Sequence, residues 1–237
     1  MTDRAVLAHG FTQTARSWVH MQQLLAPDLD SVAVDLPGHG IAADLATDLW
    51  GAADHLVQHG GTGAYVGYSM GGRIALHAAL AHADDVHRLV LIGATAGIDD
   101  AYERAVRRAN DERLADRIED IGVDPFLDEW LANPLFARLD ERSAQRDDRR
   151  RNTPTGLASS LRTCGTGTQG PLWGRLSQVR CPTLVLVGEF DPKFTALGER
   201  LVDGIDDSRM IVITGSGHSV HLEAPELTAE AIADFLR

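Results

Sequence analysis

The string Gly67-Tyr68-Ser69-Met70-Gly71 sets a serine between two glycines. A serine hydroxyl is a poor nucleophile and a poor base until an imidazole can take its proton, and an acid must then hold that imidazole in the right tautomer. Two later stretches offer these partners: Gly188-Glu189-Phe190-Asp191-Pro192 and Thr214-Gly215-Ser216-Gly217-His218-Ser219. Asp191 competes with Glu189 and is the better candidate, because it lies further out of the preceding apolar run. His218 competes with His221. The two histidines read His-x-x-His, but no Glu stands between them on a helix, so no metal is expected. Near the start, His9-Gly10-Phe11 follows the first apolar run. The N–H groups of Phe11 and Met70 are placed to hold a developing oxyanion. His9 itself, and His39 in Asp35-Leu36-Pro37-Gly38-His39-Gly40, read as structural.

Loops of this kind need a rigid frame. Short β-branched or apolar runs predict buried strands at 5–8, 31–35, 64–68, 88–93, 183–188 and 209–214. Nearly continuous apolar character is expected of strands covered on both faces, as in a parallel sheet. Helical patterns at 17–26, 44–59, 70–83, 194–202 and 224–236 alternate with them. Strand alternating with helix predicts right-handed crossovers and a mostly parallel, doubly wound α/β sheet. Ser69, Asp191 and His218 then all fall in loops at the C-terminal edge of that sheet. The flanking glycines fit a strained strand-to-helix turn that holds the hydroxyl above the sheet.

The alternation breaks between Gly97 and Gly170, where no strand pattern occurs and Arg interleaves with Asp and Glu. Apolar residues there recur at helical spacing, from Leu114 through Phe126 and Trp130 to Leu139. This predicts a cap of several short helices at 97–170, inserted into a core formed by 1–96 and 171–237. The chain has 237 residues and a net charge of −12. A generic nucleic-acid binder needs a basic surface, so that class is set aside. No apolar run reaches the ~20 residues of a membrane helix. The start, Met1-Thr2-Asp3-Arg4, leads into too short an apolar stretch for a leader, and a cytoplasmic location is expected. Cys164 and Cys181 form no CxxC, which argues against a disulfide framework or thiolate zinc. Of the basic residues only Lys193 is a lysine, and it stands two positions after Asp191.

Longer strings narrow the reading. Gly67-Tyr-Ser-Met-Gly-Gly-Arg73, Gly165-Thr-Gly-Thr-Gln169 with Pro171-Leu-Trp173, Gly188-Glu-Phe-Asp-Pro-Lys-Phe194 and Gly217-His-Ser-Val-His-Leu-Glu-Ala-Pro225 are all present. Together they resemble the 2-succinyl-6-hydroxy-2,4-cyclohexadiene-1-carboxylate (SHCHC) synthases of menaquinone biosynthesis, within the α/β-hydrolase superfamily. The resemblance runs from His9 to the C-terminus. It implies the α/β-hydrolase fold with an inserted helical cap, here starting at the strand before His9 without the two antiparallel strands many members carry. It implies a lyase that eliminates pyruvate from 2-succinyl-5-enolpyruvyl-6-hydroxy-3-cyclohexene-1-carboxylate, with Ser69, Asp191 and His218 as catalytic residues and neither metal nor cofactor. A small polycarboxylate substrate must overcome the global negative charge through local cations. Arg73, one turn after the nucleophile, and Lys193 are candidates. By similarity Arg107 and Arg149 would bind carboxylates and Trp130 would face the pocket, although Arg108 and Arg150 could fill the arginine roles equally. Arginine suits the task because its planar fork pairs bidentately with a carboxylate. Tyr68 is a candidate for the pocket wall. The alternative is a serine hydrolase, either an esterase or thioesterase or a carbon–carbon bond hydrolase, using the same triad. The sequence is silent on oligomeric state.

Overall fold

The computed structural model describes residues 4–26 and 29–237. The start of the chain, on which the expectation of no leader rests, lies outside the described residues. Among the described residues six strands form one sheet in the order β2-β1-β3-β4-β5-β6, with every neighbouring pair parallel. The strands are β1 (Ala5–Ala8), β2 (Ser31–Val34), β3 (Gly63–Tyr68), β4 (Val86–Ile92), β5 (Thr183–Gly188) and β6 (Ser208–Ile213).

Side-chain alternation along each strand builds two cores, one on each face of the sheet. Val6, Ala8, Tyr65, Leu89, Leu91, Val185 and Val187 face one way. They pack with α2 (Leu49–Gly60), α3 (Met70–Ala81) and α8 (Pro192–Gly204). Ala5, Leu7, Ala64, Val66, Val90, Ile92, Leu184 and Leu186 face the other way, onto α1 (Val19–Leu25) and α10 (Pro225–Leu236). This two-sided burial is why the strands read as unbroken apolar runs.

Several helix ends differ from the sequence pattern, and capping explains them. The helix expected from Asp44 begins at Leu49, because the Asp48 carboxylate accepts the N–H groups of Trp50 and Gly51. The helix expected from Phe194 begins two residues earlier, with Asp191 as its N-cap and Pro192 in its first turn.

Between β4 and β5 the described chain is helix and loop. It holds α4 (Ala101–Ile121), α5 (Val123–Leu131), α6 (Arg146–Arg149) and α7 (Pro154–Cys164). The expectation of several short helices fails for the first of these, which runs 21 residues. Asp100 caps its start and Gly122, at φ +78°, ends it. Its outer face is held by Arg162, which reaches Glu112, Asp116 and Glu119 on successive turns. A separate small core of Ala115, Ile118, Phe126, Leu157, Ala158 and Leu161 holds α4, α5 and α7 together. The insertion is closed at its base, where the Leu172 N–H donates to the Ala96 carbonyl at 2.7 Å.

The strand order reverses between β1 and β3, since the chain passes from β1 to one edge and from β3 to the other. Loops at such a switch point diverge and leave a crevice above the carboxyl ends of the strands. The Phe11 loop leaves β1 there and Ser69 leaves β3.

Candidate active site

Ser69 sits between β3 and α3 with φ +51° and ψ −106°, an unfavourable conformation for a residue with a side chain. The flanking glycines make the turn sterically possible. A Cβ on Gly67 would lie 2.4 Å from the Gly71 carbonyl oxygen, and one on Gly71 would lie 2.2 Å from the Ala8 carbonyl oxygen. Strand and helix therefore approach more closely than any other residue would allow. The Ser69 N–H is tied to the Ile92 carbonyl at 2.8 Å, which anchors the turn to β4.

His218 lies in the loop between β6 and α9 (Val220–Glu223). Its Nδ1 is 2.8 Å from Asp191 Oδ2, and both side chains are buried. The other Asp191 oxygen accepts the Phe194 N–H at 3.2 Å, so the helix N-terminus fixes the carboxylate that faces the imidazole. Glycine again makes room: Gly93, at φ +53°, would carry a Cβ 2.8 Å from His218 Cε1. Phe194 and Tyr68 pack on the imidazole at ring separations of 4.3 and 5.3 Å.

The competing residues lie elsewhere. Glu189 accepts the Gly215 N–H at 2.8 Å and holds a turn. His221 is buried between Trp18 and Tyr68, and burial pulls its pKa down to about 3. The Leu36 N–H donates to His9 Nε2 at 3.0 Å, so Nδ1 carries the proton and donates to the Gly10 carbonyl. His39 accepts from the Thr12 N–H and is likewise held near pKa 3 by burial. Among the described residues no group of three or more His, Cys, Asp or Glu could hold a metal ion.

Ser69 and His218 line one cavity of about 500 Å³, bounded on the core side by Phe11, Tyr68, Met70 and Lys193 and on the cap side by Trp130 and Phe136. Arg73, Arg107 and Arg149 line it too, whereas Arg108 and Arg150 do not. Arg150 instead pairs with Asp124 and Asp147 on the surface.

The three cavity arginines differ in their partners. Arg107 pairs with the buried carboxylate of Asp111 at 2.7 Å. Arg73 is buried and donates to the Cys164 carbonyl at 2.8 Å and to Gln169 Oε1 at 3.4 Å. Arg149, 1% exposed, donates to the Ala144 carbonyl at 2.7 Å and to Thr12 Oγ1. Neither Arg73 nor Arg149 has a carboxylate partner among the described residues. Burial pulls each guanidinium down to about 10, which leaves both charged at neutral pH. Buried cations that touch only neutral oxygens, with no carboxylate in direct contact, are costly. Both guanidiniums line the cavity, although the protein as a whole carries −12.

The sequence profile of the alpha/beta hydrolase family matches residues 5–231. The chain belongs to the alpha/beta hydrolase family. A Bacillus subtilis (strain 168) relative is 35% identical over 99% of this chain and 90% of its own length. A Citrobacter koseri relative, named 2-succinyl-6-hydroxy-2,4-cyclohexadiene-1-carboxylate synthase, is 32% identical over 98% of this chain and 93% of its own. The solved structure of MenH from S. aureus superposes with a TM-score of 0.92 at 29% identity, covering 100% of this chain and 94% of that one. The resemblance to SHCHC synthases drawn from the short motifs therefore extends over nearly the whole chain. A thermophilic esterase from Thermogutta terrifontis, solved with malate bound, superposes with a TM-score of 0.86 at 26% identity.

Some residues of this alpha/beta hydrolase site have no assigned role in the sequence reading. Glu223 accepts the N–H groups of Gly217 at 2.5 Å and Ser219 at 2.9 Å, so one buried carboxylate brackets both sides of His218. Gln169 carries Arg73 on its amide oxygen while its nitrogen donates to the Thr95 carbonyl at 3.5 Å. Both stand in strings that mark the family resemblance, and that was their only signal. No helix among the described residues is long and apolar enough to cross a membrane.

Proposed function

We propose that the chain is a lyase that eliminates pyruvate from 2-succinyl-5-enolpyruvyl-6-hydroxy-3-cyclohexene-1-carboxylate to give SHCHC, with a Ser69–His218–Asp191 triad acting as general base. The observation that carries this reading is the pair of buried cations without carboxylate partners, Arg73 and Arg149, in the cavity that also holds Ser69 and His218. A site for neutral esters has no use for them. The names of the full-length relatives support the same activity.

Asp191 holds the His218 Nδ1–H, leaving Nε2 to take the Ser69 proton. The Ser69 oxygen removes the proton from the carbon adjacent to the succinyl carbonyl. The electron pair moves into the carbonyl, whose oxygen becomes negative and is held by the N–H groups of Phe11 and Met70. Neither N–H has an acceptor among the described residues, and Met70 opens a helix whose first N–H groups are unsatisfied. Collapse of the enolate forms the conjugated diene and expels the pyruvyl oxygen with its bonding electrons. The His218 imidazolium returns a proton to the leaving enolate. Arg73, Arg107, Arg149 and Lys193 hold the carboxylates, and Trp130 and Tyr68 wall the ring. The core at 1–96 and 171–237 carries the reacting groups with Arg73 and Lys193, and the cap at 97–170 supplies Arg107 and Arg149.

Supplying the purified protein with the enolpyruvyl precursor, and following pyruvate release together with diene absorbance, tests this reading. Pyruvate release in step with diene formation is expected. Rapid hydrolysis of a nitrophenyl ester with no pyruvate release would instead assign the chain to the hydrolases, where the likeness to the T. terrifontis esterase already lies.

A further inference from the structure

The loop from Gly10 to Thr14 carries the Phe11 N–H, and its conformation is not self-sustaining. Thr12 has φ +69°, the left-handed region, where a β-branched residue is strongly disfavoured. The Gly10 N–H donates to Gln13 Oε1, the Thr12 N–H to His39, the Gln13 N–H to the Gly10 carbonyl and the Thr14 N–H to Asp148. Phe11 alone in this stretch is left with a free N–H among the described residues. Something must hold the loop in the arrangement that frees it.

The anchors come from the far side of the cavity. Asn152, buried at 6% exposure, donates from Nδ2 to the Thr12 carbonyl at 2.7 Å and accepts the Gly40 N–H on Oδ1 at 3.0 Å. Asp148 accepts the Thr14 N–H at 3.0 Å and also the Thr14 hydroxyl. Both belong to α6 and the turn after it, in the inserted helical segment, more than a hundred residues downstream of the loop. The remaining Asn152 donor goes to the Arg149 carbonyl at 3.0 Å, which ties the anchor to a cavity arginine.

We propose that Asn152 and Asp148 are positioning residues that hold Thr12 in its left-handed conformation and so set the Phe11 N–H at the reaction centre. The cap then does more than cover substrate: half of the oxyanion hole is assembled only when α6 is seated on the core. This rests on the reading of Phe11 as an oxyanion donor.

The test compares Asn152→Ala, Thr12→Gly, their combination and Ser69→Ala in the full chain. The assay is pyruvate release, or nitrophenyl acetate hydrolysis should the wild type release no pyruvate. Removing an oxyanion donor costs about 100-fold or more in kcat, so a donor left in place but misaimed is expected to cost about 10-fold to 100-fold, with KM little changed. Glycine adopts positive φ without strain. Thr12→Gly should therefore restore kcat in the Asn152→Ala background, a rescue that a merely stabilising role would not give. Asp148→Ala carries the same expectation should Asn152→Ala not fold. Unchanged kcat, or a loss that Thr12→Gly leaves untouched, overturns the proposal. An active Ser69→Ala overturns the site reading beneath it; an inactive Ser69→Ala beside a fully active Asn152→Ala overturns the positioning role alone.

Discussion

Arg73 and Arg162 are the same residue type on neighbouring elements and do opposite things. Arg162 lies on the outer face of the cap, where three carboxylates of α4 surround it. Arg73 lies in the core beneath the cap, buried and without a carboxylate. The first charge meets carboxylates of its own fold; the second meets only the neutral oxygens of Cys164 and Gln169. The contrast extends to the regions that carry them. Both use glycine contacts too tight for any side chain, but the core closes through apolar strands, while the cap closes through a small apolar cluster and a charge-laced surface. The lesson is that charge count says little about recognition, whereas burial without a partner says a great deal.

The sharpest way to break this picture is Ser69→Ala. It should lower the turnover rate by about 10⁴-fold or more while leaving substrate affinity nearly intact, measured by single-turnover kinetics and equilibrium binding. A surviving rate would remove the core from the chemistry. Next comes the arginine contrast itself. Arg73→Ala should raise the Kd for the anionic substrate by about 30-fold, since a charge-assisted contact in a buried site is worth about 2 kcal/mol.

A smaller effect concerns stability. His39 and His221 are held near pKa 3 by burial, against about 6.5 in the unfolded chain. The unfolded state binds more protons below about 6.5, so their contribution is complete above that pH. It is lost progressively as the pH falls from about 6.5 toward 3, at about 1.4 kcal/mol per pH unit for each histidine. The melting temperature should fall over that window, and His221→Phe should flatten its slope. The smallest expected effect is that of Arg162→Ala, because exposed ion pairs contribute little. KM should not change and the melting temperature should move only slightly. A large rise in KM there would erase the distinction between the two arginines.

The parts legible in advance were those with a local signature. The turn at Ser69 is legible because its flanking glycines stand directly after an apolar run, and the strands read clearly because burial on both faces leaves them unbroken. The preference for Asp191 over Glu189 rests on two positions along the loop. The structure gives the physical ground for that difference: Asp191 caps α8 and faces His218, while Glu189 turns outward to Gly215. The 21-residue α4 did not stand out, since interleaved charges blur its apolar face and its bounds are set by the Asp100 cap and by Gly122.

Sequence alone, then, determined the alternation of strand and helix and the family resemblance, both carried by residues a few positions apart. Tertiary structure decided which of the many cap arginines face the cavity, which of those has no carboxylate in direct contact, and that Asn152 and Asp148 reach back to the loop of Phe11. Those are relations between segments distant in the chain, in the last case more than a hundred residues apart. A side chain's desolvation, and the partner it is denied, exist only once the chain has closed around it.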